Sequence, residues 1–89
     1  SAVSNELIAR MMREFVVRRI LRRIAKELDL DPAEAPVRVN LVASQIAGLV
    51  MVRYILKIEP LASAPAETVV ALVGPTIQRY LTQPLPAEV

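Results

Sequence analysis

The chain holds few side chains able to make or break bonds, and their spacing does not assemble them. It has no histidine and no cysteine. That removes the usual ligands of a zinc site and any Ser–His or Cys–His nucleophile pair. Glu14, Glu27 and Glu34 are scattered, with no paired arrangement suited to acid–base work. The only glycines are Gly48 and Gly74, so there is no glycine-rich loop to cradle a phosphate. Neither enzyme activity nor a cofactor is expected.

What remains is recognition chemistry. Arg10, Arg13, Arg18, Arg19, Arg22, Arg23 and Lys26 make one segment basic. They suit phosphate contact, but no aromatic residues interleave them and no recognition motif accompanies them. A solvated face opposite an apolar stripe accounts for them more simply. Gln45, Arg53 and Tyr54 are polar handles on an otherwise apolar stretch, suited to a ligand, to one another or to an interface rim. Met11, Met12 and Met51 could line an adaptable pocket or fill gaps in a core.

The elements that must position these residues are helices. Eighty-nine residues make one small domain, and an apolar fraction of 54 % argues against disorder. Aromatics are 3 %, so the core must be aliphatic. A first helix is predicted over 4–28. Ser4 would cap it, and Leu7, Ile8, Met11, Met12, Phe15, Val16, Ile20, Ile24 and Leu28 fall at helical spacing. Asp31-Pro32-Ala33-Glu34 reads as a capping box; either a single turn precedes the main helix or that helix begins at Pro36, and the second is favoured, which places it from Pro36 to Ile58, ended by Pro60. A third helix is placed from Pro65, as its first residue, to Leu81. Gly74-Pro75 interrupts it, yet Val69, Val70, Val73, Ile77, Tyr80 and Leu81 keep one phase, which predicts a kinked, continuous helix. The tail QPLPAEV is expected to fray. No strand pattern appears, so the fold class is all-α.

The stretch 41–58, LVASQIAGLVMVRYILKI, is apolar almost all the way round. A helix lying on one core keeps a polar back; one without it must be covered on two sides. Two other helices offer little material for that, so a second chain is expected to cover the rest. Ala43, Ser44, Ala47 and Gly48 would let another helix approach closely, from the same chain or from a partner. A membrane span is not expected: the apolar run 41–52 is shorter than the roughly 20 residues a span needs, and Ser44, Gln45, Arg38 and Arg53 lie in or beside it.

The runs LVASQIAGLVMVRYILKIEPLA and VVALVGPTIQRYLTQPL resemble the C-terminal half of TetR-type transcriptional repressors, above all actinobacterial members. The likeness rests on LVASQ-x-x-GL, RY-x-L-x-x-EPLA and GP-x-x-QRYL and covers residues 14–85. It implies an all-helical C-terminal regulatory and dimerisation domain spanning 1–89. The last two helices would form an intermolecular four-helix bundle in a homodimer. It further implies a cytoplasmic regulator that senses a small-molecule inducer. Operator DNA would be bound only through an N-terminal helix-turn-helix domain, expected to be absent from this chain. Ligand contacts are then expected at Met11, Met12, Phe15, Gln45 and Arg53. The dimer seam is expected at Ala47, Val50, Met51, Tyr54, Val69, Val73, Ile77 and Tyr80. A stand-alone helical interaction module is the competing reading.

Overall fold

A computed structural model describes the backbone of residues 2–89 and the side chains from Ser4 onward. Every regular element among them is helical, and they form three rods. The first rod joins α1 (Ala2–Phe15), a π-helical stretch Val16–Leu21 and α2 (Arg22–Glu27). The second joins α3 (Ala35–Val50) to a π-helical turn Met51–Ile55. The third is α4 (Ala66–Thr82). The Cα trace divides into two compact units, with the boundary between Pro36 and Val37; each is described by itself below.

The first rod corrects two expectations. It begins at Ala2, so Ser4 lies inside the helix and is not its cap. It is also not one uniform α-helix. The wide turn opens at Val16-Val17, two β-branched residues that are stiff at χ1. The rod stops in a Schellman arrangement: Asp29 N–H donates to Lys26 C=O (3.2 Å) and Leu30 N–H to Ala25 C=O (3.3 Å). Asp29 takes the left-handed conformation this requires (φ 53), a role that acidic and amide residues fill after glycine.

Asp31 organises the connection. Its side chain accepts from Ala33 N–H (3.0 Å), and its carbonyl accepts from Glu34 and Ala35 N–H (2.9 and 2.8 Å). A single turn therefore precedes α3, which starts at Ala35, one residue before the predicted Pro36. At the other end the helix runs on through the π turn to Ile55. From Ala35 to Ile55 it spans 21 residues at a mean hydropathy of 1.5. The length argument, made on the apolar run 41–52, does not hold for the whole helix, which by length and hydropathy alone is enough to cross a membrane.

The second rod ends at Lys57, which is left-handed (φ 54). Ile58 N–H donates to Val52 C=O (3.0 Å), a closure one residue wider than in the first rod because the turn it seals is π-helical. The peptide Glu59–Pro60 is cis.

Pro65 is the N-cap of α4 with an extended backbone (φ −57, ψ 143), not its first helical residue. Its carbonyl accepts from Thr68 and Val69 N–H (3.0 and 3.2 Å), and Glu67 lies in the first turn, where the helix dipole favours an anion. Pro75 sits inside a continuous helix, as predicted. Ala71 is an exposed residue, so solvent can satisfy the carbonyl that Pro75 leaves without a donor.

Candidate functional site

The second unit, Val37–Val89, is held by two arginines on the apolar helix. Arg38 is 6 % exposed. Its Nη1 donates to the Tyr80 carbonyl at 2.9 Å, tying α3 to the last turn of α4. The local reason is Pro84. The Tyr80 carbonyl would be met by an N–H four residues on, and proline has none. The cation also sits at the negative end of the α4 dipole.

Arg53 holds the connection between the second and third rods. Its Nη1 donates to the carbonyls of Leu61 (3.0 Å) and Ala64. Its Nε donates to Tyr54 Oη at 3.2 Å, with the guanidinium 5.5 Å from the Tyr54 ring centre, within cation–π range. Glu59 Oε1 accepts from Ser63 N–H at 2.8 Å, and Ala62 N–H donates to the Ile58 carbonyl at 2.9 Å. The RY…EPLA series is thus a folded unit in which one guanidinium and one carboxylate satisfy the backbone of a tight connection.

The apolar helix shows two unlike sides. Val39 is 2 % exposed, and Leu41, Val42, Leu49 and Val52 are half-buried. On the other side Ile46, Val50, Met51 and Tyr54 are 46, 39, 45 and 61 % exposed, and Ala47 and Gly48 are exposed with them. A Cβ at Gly48 would meet nothing within 4 Å, so no close crossing among the described residues explains that glycine.

Of the residues expected at a dimer seam, Ala47, Val50, Met51 and Tyr54 therefore share the uncovered side of the second rod. Those on α4 do not match them: Val69 is 6 % exposed, and Val73, Ile77 and Tyr80 are half-buried. The large apolar residues that α4 leaves bare are Val70 and Leu72, at 69 and 71 %. Periodicity flagged Val70 without separating it from Val69, and it passed over Ile46 and Leu72. Arg38 was also missed as a functional group of the fold; Pro84, four residues after Tyr80, was the available signal.

The residues expected to contact a ligand fall in both units. Met11 and Phe15 line one surface hollow of about 260 Å³, with Glu14, Arg18 and Arg19. Met12 is on the same helix and 62 % exposed. All lining residues come from one rod, so the hollow is not enclosed. Gln45 and Arg53 belong to the other unit. Gln45 is half-buried, and Arg53 is committed to the connection after its own helix.

Comparison with known families gives one finding. The family model described as the tetracyclin repressor-like C-terminal domain matches residues 1–81, and so takes in the first two rods and all but the last residue of the third. No curated protein and no solved structure matches the chain. With that much of its length covered by the family model, and with the all-helical architecture to match, the chain belongs to the tetracyclin repressor-like C-terminal domain family.

Proposed function

We propose that residues 1–89 are the dimerisation and effector-sensing domain of a TetR-type DNA-binding transcriptional repressor. The observation that carries this reading is the bare side of α3. Ile46, Val50, Met51 and Tyr54 are exposed on a helix whose opposite side is buried or half-buried. Burying apolar area yields about 25 cal/mol per Å², so an uncovered apolar side next to a covered one favours a second helix pair. A second copy supplies it in the form of a four-helix bundle built from the second and third rods of each subunit.

In this reading the repressor works in the cytoplasm, without a catalytic step or a cofactor. Operator DNA is met only through a helix-turn-helix domain outside these residues. A small-molecule inducer favours one dimer geometry, which changes the spacing of the two reading heads and weakens their hold. Met11, Met12, Phe15, Gln45 and Arg53 are the proposed ligand contacts. A membrane location is not favoured, since Arg38 and Arg53 within the 21-residue helix are engaged with α4 and the following connection.

Sedimentation equilibrium of the chain at micromolar concentration tests the proposal. A dimer that dissociates in Met51→Glu, with helix content unchanged, is expected. A monomeric wild-type chain would favour the alternative, a helical interaction module serving a different protein.

A further inference from the structure

The first rod carries an apolar side and a set of cations that the dimer reading does not use. Leu7, Ile8, Met11, Met12 and Phe15 are 55–62 % exposed, and Ile20, Ile24 and Leu28 are 37–50 % exposed. Among the rod's described large apolar residues Leu21 alone is buried. In a uniform α-helix Phe15 and Ile24 would stand roughly 180° apart. The π-helical stretch Val16–Leu21 lies between them, and a π turn takes more residues per revolution. It rotates the second apolar segment back toward the side of the first. Arg18, Arg19, Arg22 and Lys26 are exposed and have no ion pair or hydrogen bond among the described residues. The two chemistries meet in one hollow, where Met11 and Phe15 lie with Arg18 and Arg19. Glu14, the carboxylate of that hollow, is paired with Arg10 at 3.8 Å.

We propose that the first rod lies on an anionic phospholipid surface, its apolar side at the boundary of headgroups and acyl chains and its free cations on lipid phosphates. A helix that binds in this way needs a bare apolar side together with arginines and lysines, and this rod has both. Duplex DNA engages the cations alone and leaves the apolar side in water. A helix received in a protein groove presents a narrow row of anchors at i, i+3, i+4 and i+7. Leu7, Ile8, Met11, Met12 and Phe15 instead spread over about 140° of the rod, a breadth that suits a plane. A second copy of the rod would bring like charges together, whereas an anionic surface complements them. The rod rests on the surface and does not cross it, since Arg18, Arg19, Arg22, Arg23 and Lys26 fall within ten residues of one another and charges at that density oppose insertion. The inference goes beyond the dimer proposal and does not depend on it.

The chain has no tryptophan, so Phe15→Trp places a single fluorescent reporter where the two chemistries meet. The full 89-residue chain with this substitution is titrated with vesicles of phosphatidylcholine, and with vesicles of phosphatidylcholine and phosphatidylglycerol in equal parts. With the anionic vesicles the emission should shift to the blue and be quenched by lipids brominated in the acyl chains; neutral vesicles should bind far more weakly. Each cation at an anionic surface contributes about fivefold to partitioning, so Arg18→Gln with Arg22→Gln should weaken binding roughly 30-fold. Ile8→Ser with Met11→Ser should weaken it about tenfold or more. Arg79→Gln, on α4, should leave it unchanged. Circular dichroism confirms that each variant keeps its helices. Emission unmoved by anionic vesicles would overturn the proposal, as would equal binding to neutral and anionic vesicles. So would tighter binding to duplex DNA or polyglutamate than to the anionic vesicles. A blue shift that grows with chain concentration in the absence of lipid would also overturn it, by placing a second copy over Phe15.

Discussion

The guanidinium of Arg38 reaches from the first turns of α3 to the carbonyl of Tyr80 near the end of α4, 2.9 Å away. It replaces the backbone donor that Pro84 lacks, and it does so at 6 % exposure. A buried cation is tolerated only where hydrogen bonds and a favourable field compensate its lost hydration. Here a helix C-terminus supplies both.

Replacing Arg38 with Met keeps much of the volume and removes the donor. Hydrogen bonds that involve a charged group contribute about 1.5–3 kcal/mol, and urea denaturation should show a loss of that size. Pro84→Ala restores an N–H four residues after Tyr80 and frees Gln83 to become helical. In a double-mutant cycle the Arg38→Met loss should shrink by about 1 kcal/mol in the Pro84→Ala background. Strictly additive effects would mean that Arg38 acts through packing alone.

Arg53 should not accept lysine. A planar fork serves several acceptors at once, whereas an ammonium on a flexible stem does not hold the same geometry. Arg53→Lys should cost about 1–3 kcal/mol and speed amide hydrogen exchange at Ala62 and Ser63, whose N–H groups donate within the connection. Exchange confined to its wild-type rate there would show that Glu59 and the turn suffice without the arginine.

Lys57 closes the second rod in the left-handed region at φ 54. Such a conformation costs a residue with a Cβ about 1 kcal/mol or somewhat more, and glycine almost nothing. Lys57→Gly should therefore stabilise the chain by about 0.5–1 kcal/mol. For a domain of this size that is a rise of a few degrees in the thermal midpoint. A fall in the midpoint would place the Lys57 side chain in an interaction that outweighs its backbone.

Gly48→Leu separates the fold from its assembly. Open space surrounds the added Cβ, and leucine is the better helix former by roughly 0.5–1 kcal/mol. Circular dichroism should show equal or higher helix content. Sedimentation should show dissociation if a partner helix approaches along Ser44, Ala47 and Gly48. A dimer of undiminished affinity would move the seam to another side of α3.

The amino-acid pattern determined the helical class, the three rods, the unbroken passage through Pro75 and the family likeness. Each rests on spacing along one chain: apolar residues at helical intervals, prolines at the connections, and short motifs such as EPLA and GP-x-x-QRYL. The pattern also found the middle helix too apolar for a single core. It could not say which side of that helix stays bare, because leucines, valines and isoleucines occupy both. Only packing separated Val39 and Val52 from Val50 and Met51, and it showed that Val69 is covered where Val70 and Leu72 are not. The wide turns at Val16–Leu21 and Met51–Ile55 likewise escaped a reading made at α-helical period. Arg38 and Arg53 show the same division. Their positions in the sequence look like flanking charges, but their acceptors, Tyr80 and Leu61, lie 42 and 8 residues away. Such pairings become visible only when the chain has folded back on itself.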